Sequence, residues 1–199
     1  MPRAQDPELE NRVVAASLRI LDREGESGIT LRAVAKEAGT TTPTIYERFR
    51  DRDELMQRLV SRATDEITGI LAAKSSIEEM FREYLRYSCT HPMRVNLMIT
   101  TFGQRYVLGE QMPAFDLLKT RISNQVGVHG SEREDLALAI ASLAFGTAQG
   151  MLAAGKRTRH AAEFQRASLG ALEIMLEAFS GRKRRAGSRG GKMKRQAPG

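Results

Sequence analysis

Residues 30–52 form the most informative stretch of this chain and read TLRAVAKEAGTTTPTIYERFRDR. Thr30 is placed to cap a helix, because a threonine hydroxyl can accept a hydrogen bond from the first turn. Apolar side chains then follow at the i, i+3, i+4, i+7 spacing of one helical face: Leu31, Val34, Ala35 and Ala38. Gly39 supplies the left-handed conformation that ends a helix without strain. The pattern predicts a short helix that stops at Gly39.

A second short helix is predicted directly after this glycine. Thr41 is placed to cap it, and Pro43 lies in its first turn, where a missing N–H costs nothing. Ile45 and Phe49 share one face and are expected to pack back on the first helix. Two short helices joined by a glycine turn make a helix-turn-helix.

At these residues the sequence resembles the tetracycline-repressor (TetR) family of bacterial one-component regulators. The resemblance is carried by Thr30-x-Arg32-x-x-Ala35-x-x-Ala38-Gly39, then by Thr44-Ile45-Tyr46-x-x-Phe49, and then by Arg50. It covers roughly residues 10 to 58, and over the rest of the chain it depends on length and helical pattern. The alternative is a packing motif of the same shape that has no DNA role. The Thr-Ile-Tyr triplet and the trailing arginine favour the family.

The resemblance implies an all-α homodimer of about nine helices that represses transcription until a small ligand enters its second domain. The expected domains are a DNA-binding domain at 1–50, a ligand-binding and dimerisation domain at 51–181 and a disordered basic tail at 182–199. A dimer is also expected on physical grounds, because one helix-turn-helix reads too few bases for genomic selectivity, whereas two copies read a palindromic operator in double-stranded DNA.

Two groups of DNA-binding residues follow from the motif positions. Base edges would be read by Arg32, Thr42, Pro43, Thr44 and Glu47, and phosphates would be held by Thr30, Tyr46, Arg50 and Arg52. Arg32 is the leading candidate, since arginine can bond bidentately to guanine in the major groove. Glu47 and Arg48 depart from the family pattern, in which many members have an aromatic residue or a histidine at these positions. Phosphate repels an acid such as Glu47 unless the acid meets a cytosine amino group or a neighbouring arginine. Glu47 and Arg50, three residues apart, are one such pair.

Composition narrows the functional classes. The chain has 199 residues, a net charge of +7 and one cysteine, Cys89, which excludes an internal disulfide framework and suits a reducing cytoplasm. Residues 1–181 carry 23 basic against 24 acidic residues, so the excess positive charge belongs to the tail. That tail is interpreted either as a solubilising end or as a nonspecific phosphate contact. The first seven residues are expected to be disordered.

Helical periodicity continues along the rest of the chain, with capping boxes at Asp51–Glu54 and Ser76–Glu79. Residues 103–111 are expected to form a loop or a frayed turn. The predicted helices cover residues 8 to about 25, 51 through 71, 76 to 91, 92 to about 102, 113 to near 127, 131 to 155 and about 158 to 180.

Residues 136–155 contain no charged side chain, and twenty such residues are long enough to cross a membrane. Because many of them are small or polar, a buried helix is the simpler interpretation, and no membrane association is expected. Together with the last helix, this segment resembles the pair that forms the family's four-helix dimer interface. The residues expected at that interface are Ala141, Gly146, Gly150, Leu169, Leu172, Met175 and Leu176.

Enzymatic motifs are lacking, and the three histidines are too scattered for a zinc site, so no enzyme, metal or cofactor is expected. A small-molecule effector is implied by the resemblance, with an adaptable apolar wall rich in methionine. The alternative is a DNA-binding dimer with no small ligand that a protein partner regulates. The candidate ligand-binding residues are Met80, Tyr84, Tyr87, Met98, Phe102, Tyr106, Met112, Phe115 and Met151.

Overall fold

The structure is a computed structural model that describes residues 8–154 and 158–192, with residues 181–192 described by their backbone alone. The expectation of disorder in the first seven residues lies outside the described residues, as do residues 193–199 of the expected tail. Within the described ranges the protein is all-α and contains no β-strand, as predicted. The helices are α1 (Leu9–Glu24), α2 (Leu31–Ala38), α3 (Thr42–Tyr46), α4 (Arg52–Ala72), α5 (Ile77–Thr90), α6 (Pro92–Val107), α7 (Pro113–Gln125), α8 (Gly130–Ala154) and α9 (Thr158–Lys192).

The helix starts follow the predicted caps. The Glu54 amide donates to the Asp51 carboxylate at 2.8 Å, and the Glu79 amide donates to the Ser76 hydroxyl at 3.1 Å. The Glu79 carboxylate in turn accepts from the Ser75 amide and hydroxyl, at 2.8 and 2.7 Å. Each box satisfies amide groups that would otherwise have no partner in the first turn.

Two helices are longer than predicted. α6 continues through Val107, where a loop was expected, because residues after Gly103 support the helix: the Phe102 and Tyr106 rings stack with centroids 6.1 Å apart. One exposed glycine costs a helix only about 1 kcal/mol, so Gly103 does not end it. α9 continues to Lys192, into the segment where the tail was expected to be disordered. Arginine and lysine are good helix formers and are favourable near a helix C-terminus.

The chain divides into two compact units. The first unit holds Met1–Ile67 and Thr90–Glu110, and the second holds Thr68–Cys89 and Gln111–Gly199. This division differs from the expected boundary after residue 50, because α6 and most of α4 pack with α1. Leu55 and Leu59 of α4 and Leu97 of α6 belong to the same apolar core as α1, α2 and α3. The first unit is therefore larger than a three-helix DNA-binding domain.

In the second unit α8 packs against α7 and α9. Among the described residues α8 is the one helix long and apolar enough to cross a membrane. Its buried face includes Leu136, Ile140 and Ala148, and its buried Thr147 hydroxyl lies 2.6 Å from that of Ser168 in α9. One face of α8 is therefore packed inside the unit, and a helix packed in a bundle can be as apolar as a membrane span.

Candidate nucleic-acid interface

Both helices of the helix-turn-helix begin at threonine caps. The Thr30 hydroxyl accepts from the Ala33 amide at 3.2 Å, and the Thr41 hydroxyl accepts from the Thr44 amide at 3.4 Å. Between them Gly39 has φ 66° and ψ 37°, the left-handed conformation that side chains disfavour. The caps and the glycine together define the turn, and each cap contributes about 1 kcal/mol to the stability of its helix.

The inner face of the motif is fully buried. Ile45 is 0% exposed and Phe49 is 1% exposed, and both lie in the core that includes Val34 and Ala35 of α2. This core seats α3 although that helix has only five residues. A helix so short is marginal in isolation, so its orientation depends on this packing.

The outer face carries most of the residues predicted to bind DNA. Thr30, Arg32, Pro43, Tyr46, Glu47 and Arg50 are exposed, whereas Thr42, Thr44 and Arg52 are partly buried. Tyr46 is 57% exposed, which is unusual for so large an apolar ring and leaves its hydroxyl free to meet a phosphate. Thr30 keeps a hydroxyl proton to donate although its oxygen caps α2. Lys36, one helical turn after Arg32, is also exposed and was not among the predicted residues; its i+4 spacing from Arg32 was the available signal.

Arg52 has a structural role that the sequence did not suggest. Its guanidinium donates to the Ile29 carbonyl at 3.1 Å and to the Glu26 carbonyl at 3.1 Å, and it lies 3.4 Å from the Glu26 carboxylate. These bonds join the first turn of α4 to the 3-10 turn over Glu26–Gly28 that precedes α2. Arg52 therefore holds the position of α2, and its Nε and Nη2 groups donate within the protein.

Arg50 pairs with Glu54 rather than with Glu47. Its Nε lies 3.2 Å from the Glu54 carboxylate, which also accepts the Arg50 amide at 2.9 Å. These bonds hold the pKa of Glu54 below its usual value, and the bond from the Arg50 amide has the largest effect. The Arg50 side chain remains 84% exposed, so most of its guanidinium still faces solvent.

An ion-pair cluster joins three helices of the first unit. Arg94 of α6 donates from Nε to both carboxylate oxygens of Asp22 in α1, at 3.0 and 3.1 Å, and from Nη1 to Glu66 of α4 at 2.7 Å. The Arg94 side chain is only 12% exposed. No local sequence pattern indicated this cluster, because its members lie 28 and 72 residues apart.

The residues predicted to bind a ligand do not all belong to one unit. Met98, Phe102 and Tyr106 are in the first unit, and the other six are in the second. Met80, Tyr87, Met112, Phe115 and Met151 are buried core residues, and Tyr84 contacts Phe145 at 6.0 Å between centroids. Among the described residues the Tyr84 hydroxyl has no hydrogen-bond partner, and burial raises the pKa of this phenol. A groove in the second unit is lined by one of the nine, Met151.

The residues predicted for a dimer interface divide into two groups. Ala141, Leu169, Leu172 and Leu176 are buried within the chain and form its own core. A Cβ on Gly150 would lie 2.6 Å from the Phe164 ring of the same chain, so Gly150 serves the α8–α9 contact. Gly146 is exposed, and a Cβ there would meet nothing within 4 Å. Gly146 and the partly buried Met175 are the members of the set that still offer surface to a second copy.

In the part of the chain that the structure describes, no three His, Cys, Asp or Glu side chains come together as metal ligands. The model of the bacterial regulatory proteins of the tetR family matches residues 13–59, which contain α2, α3 and their caps. This match assigns residues 13–59 to the tetR family. The matched residues are those whose caps, turn and buried inner face are described above.

Two relatives agree with this assignment. The HTH-type transcriptional repressor DrrR1 of Streptomyces coeruleorubidus is 29% identical over 176 residues, which cover 83% of this chain and 63% of that protein. An uncharacterized HTH-type transcriptional regulator of Mycobacterium tuberculosis, Rv0681, is 29% identical over 89 residues, 41% of each protein. The chain thus spans less than two thirds of the length of these relatives.

Solved structures share the fold at low sequence identity. The TetR regulator SCO7222 of Streptomyces coelicolor has a TM-score of 0.66 at 18% identity, covering 88% of this chain and 98% of its own. BioQ bound to its double-stranded DNA operator has a TM-score of 0.59 at 18% identity, covering 86% and 98%. A TetR variant of Acinetobacter baumannii AYE in complex with minocycline has a TM-score of 0.64 at 16% identity, covering 85% and 94%. At these identities the likeness concerns the fold alone.

Proposed function

We propose that this protein is a sequence-specific DNA-binding transcriptional regulator that works in the cytoplasm as a homodimeric repressor. One observation carries the proposal: a capped helix-turn-helix, seated on a core of fully buried side chains, presents Arg32, Pro43 and Tyr46 to solvent. Arg32 lies in the first turn of α2, and threonine caps fix the starts of α2 and α3. This arrangement suits the major groove, where side chains at the start of the second helix meet base edges. The repressor relative and the operator-bound neighbour support it.

The bases are read by Arg32, Thr42, Pro43, Thr44 and Glu47 in this proposal. Thr30, Tyr46 and Arg50 hold phosphates, and Arg52 acts indirectly by fixing the start of α2 through the Glu26 and Ile29 carbonyls. Phosphate contacts set the register of the protein on DNA, and base contacts supply the specificity. The two roles predict different mutational signatures.

The second copy of the chain binds, in this proposal, to the open faces of α8 and α9. On α8 the exposed residues that alternate at spacings of three and four are Ala139, Ser142, Gly146, Gln149 and Ala153. On α9 Ile174 is 69% exposed, so most of this large apolar side chain is left uncovered by the described residues. Small residues on one helix and an exposed isoleucine on its neighbour suit close packing of helices.

A small molecule releases the repressor from DNA in this proposal, as minocycline binding to a neighbour of the same fold suggests. Its site is in the second unit, where the Tyr84 hydroxyl is buried without a partner among the described residues. A buried hydroxyl without a partner costs about 1–3 kcal/mol, which a bound polar group would recover.

Selection of duplexes from a random DNA pool tests the proposal. A palindromic consensus with half-sites about one helical turn apart is the expected result, and sedimentation should give a dimer at the concentration that binds DNA. If the folded protein enriches no consensus, the proposal that it is a sequence-specific regulator is refuted. A consensus whose complex responds to no member of a chemically broad library would instead favour regulation by a protein partner.

A further inference from the structure

The second unit has a groove of about 700 Å³ that none of the roles above uses. Its volume lies within the range of about 300–1,000 Å³ that is usual for small-molecule sites. Leu85 is fully buried and Met151 is 8% exposed, and with Ala73 they give the groove an apolar floor. The apolar residues come from both α5 and α8, so the floor depends on the tertiary packing of these helices.

Charged residues of α5 line the same groove at the spacing of one helical face. Glu79, Arg82, Glu83 and Arg86 stand at i, i+3, i+4 and i+7, and Lys74 lies just before the helix. Three cations and two carboxylates leave this lining with a formal charge of +1. A row of charges on a helix is usually a solvated face, but here it borders buried apolar side chains.

Both carboxylates of the groove are already engaged. Glu83 is only 11% exposed and accepts from Arg86 Nε at 3.1 Å and from Lys74 Nζ at 3.1 Å. The hydrogen bond from Arg86, followed by that from Lys74, holds the pKa of Glu83 below its usual value. Glu79 accepts from the Ser75 amide and hydroxyl. The groove therefore has little negative charge to offer a cationic ligand.

Unlike Lys74 and Arg86, Arg82 makes no ion pair among the described residues, and it is exposed at the groove. A guanidinium binds a carboxylate bidentately, with two parallel hydrogen bonds. Gln165 of α9 lines the same groove and brings an amide donor.

We propose that this groove binds an amphipathic monoanion, a carboxylate with an unbranched or aromatic apolar body. The carboxylate lies at Arg82 and at the outward edge of Arg86, and the apolar body covers Ala73, Leu85 and Met151. This inference concerns binding alone and does not depend on DNA release; if release follows binding, the groove is an effector site separate from the one proposed at Tyr84.

Cys89 makes the proposal directly measurable, because it is the one cysteine of the chain, is exposed and lines the groove. Its alkylation by neutral iodoacetamide, followed by mass spectrometry on the full chain, reports occupancy of the groove. Three ten-carbon probes of equal length should be compared below the concentration at which they aggregate: decanoate, decan-1-ol and decyltrimethylammonium. Decanoate should slow alkylation at the lowest concentration, decan-1-ol should need about tenfold more, and the ammonium should not protect Cys89.

Substitutions then test the position of the anion. Arg82→Gln should raise the decanoate concentration that half-protects Cys89 about tenfold, while the charge-conserving Arg82→Lys should restore part of the protection. Arg62→Gln removes an equal charge from an exposed site on α4 and should leave protection unchanged. Protection is expressed as the ratio of rates with and without probe for each variant, because removing a nearby cation also changes the reactivity of the thiol.

Three results would overturn the proposal. One is unchanged alkylation of Cys89 in decanoate by a protein whose melting curve is that of the folded chain. Another is equal protection by decanoate and decan-1-ol, which means an apolar groove without preference for an anion. The last is full protection in Arg82→Gln. Release of operator DNA by decanoate is measured separately, and its failure would count against ligand-released repression rather than against this site.

Discussion

Arg32 and Tyr46 lie close together in the sequence and are both exposed, but their side chains suit different partners. Arg32→Ala should weaken operator binding by roughly 1–3 kcal/mol and relax the preference at one base pair, because a bidentate contact to guanine is lost. Tyr46→Phe should weaken binding to all sequences alike, since a phosphate contact has no base preference.

Fluorescence anisotropy on the operator, on single-base variants and on random duplex measures both effects. Equal losses on operator and random DNA for both substitutions would contradict the division of roles. Pro43 and Thr44 would then become the leading candidates for base reading.

Arg52 was expected at a phosphate, but its guanidinium is bonded to the Ile29 and Glu26 carbonyls. Arg52→Gln should therefore lower the free energy of unfolding by about 1–2 kcal/mol, as loss of hydrogen bonds from a charged donor does. For DNA binding, the slope of the logarithm of the association constant K against the logarithm of salt concentration should stay unchanged. Exposed Arg50 is the matched control: Arg50→Gln should change stability little and reduce that slope by about 0.9. Chemical denaturation and binding titrations over a salt series measure both quantities, and a reduced slope for Arg52→Gln would restore the phosphate role.

At the scale of the helices, α6 belongs with the helix-turn-helix, since Leu97 lies in its core and Arg94 bonds to α1 and α4. A double-mutant cycle with Arg94→Gln and Asp22→Asn should give a coupling energy of roughly 1–2 kcal/mol. The value is below that of a fully buried pair because the Asp22 side chain is 30% exposed. Urea unfolding of the four proteins supplies the cycle, and additive effects would mean that the pair contributes nothing to the packing of α6.

Gly146 and Gly150 lie one turn apart on α8 but have different surroundings. Gly150→Leu should destabilise the chain itself by about 1–3 kcal/mol, because the new side chain overlaps Phe164 of α9. Gly146→Leu should leave the fold of the chain intact and weaken self-association, because a Cβ there meets none of the described residues within 4 Å. Thermal unfolding combined with sedimentation equilibrium distinguishes the two. An intact dimer in Gly146→Leu would place the interface on another face.

For the whole molecule the charge distribution predicts how binding depends on salt. Residues 1–181 carry a net charge of −1, and the eight basic residues after Gly181 account for the excess. Truncation after Gly181 should flatten the slope of log K against log salt on random duplex by roughly three units if the segment meets three or four phosphates. The choice between operator and mutant operator should not change, because phosphate contacts carry no base preference. Identical slopes for the two proteins would leave the segment as a solubilising end.

The helix-turn-helix could be predicted closely because its signals are local. Thr30, Gly39, Thr41 and Pro43 act on backbone groups within a few residues, and the structure has the same caps and turn. Local signals also predicted the starts of α4 and α5 from their capping boxes. The end of α6 was missed because an exposed glycine is weak evidence for a helix end when the residues after it favour the helix.

Longer-range features required the folded chain. The bonds from Arg52 to the Glu26–Gly28 turn, and those from Arg94 to α1 and α4, join residues up to 72 positions apart, and charge pairs at such separations leave no periodic pattern. The partners of buried side chains were equally hard to predict from the sequence. Leucines of α9 were expected to meet a second copy, but they pack within the chain. An apolar stripe on a helix does not specify which neighbour covers it. Hydrogen bonds between residues close in sequence can be predicted from the sequence, because both partners lie within the same few residues. Which surface covers an apolar face depends on how whole helices pack, and only the tertiary structure determines that.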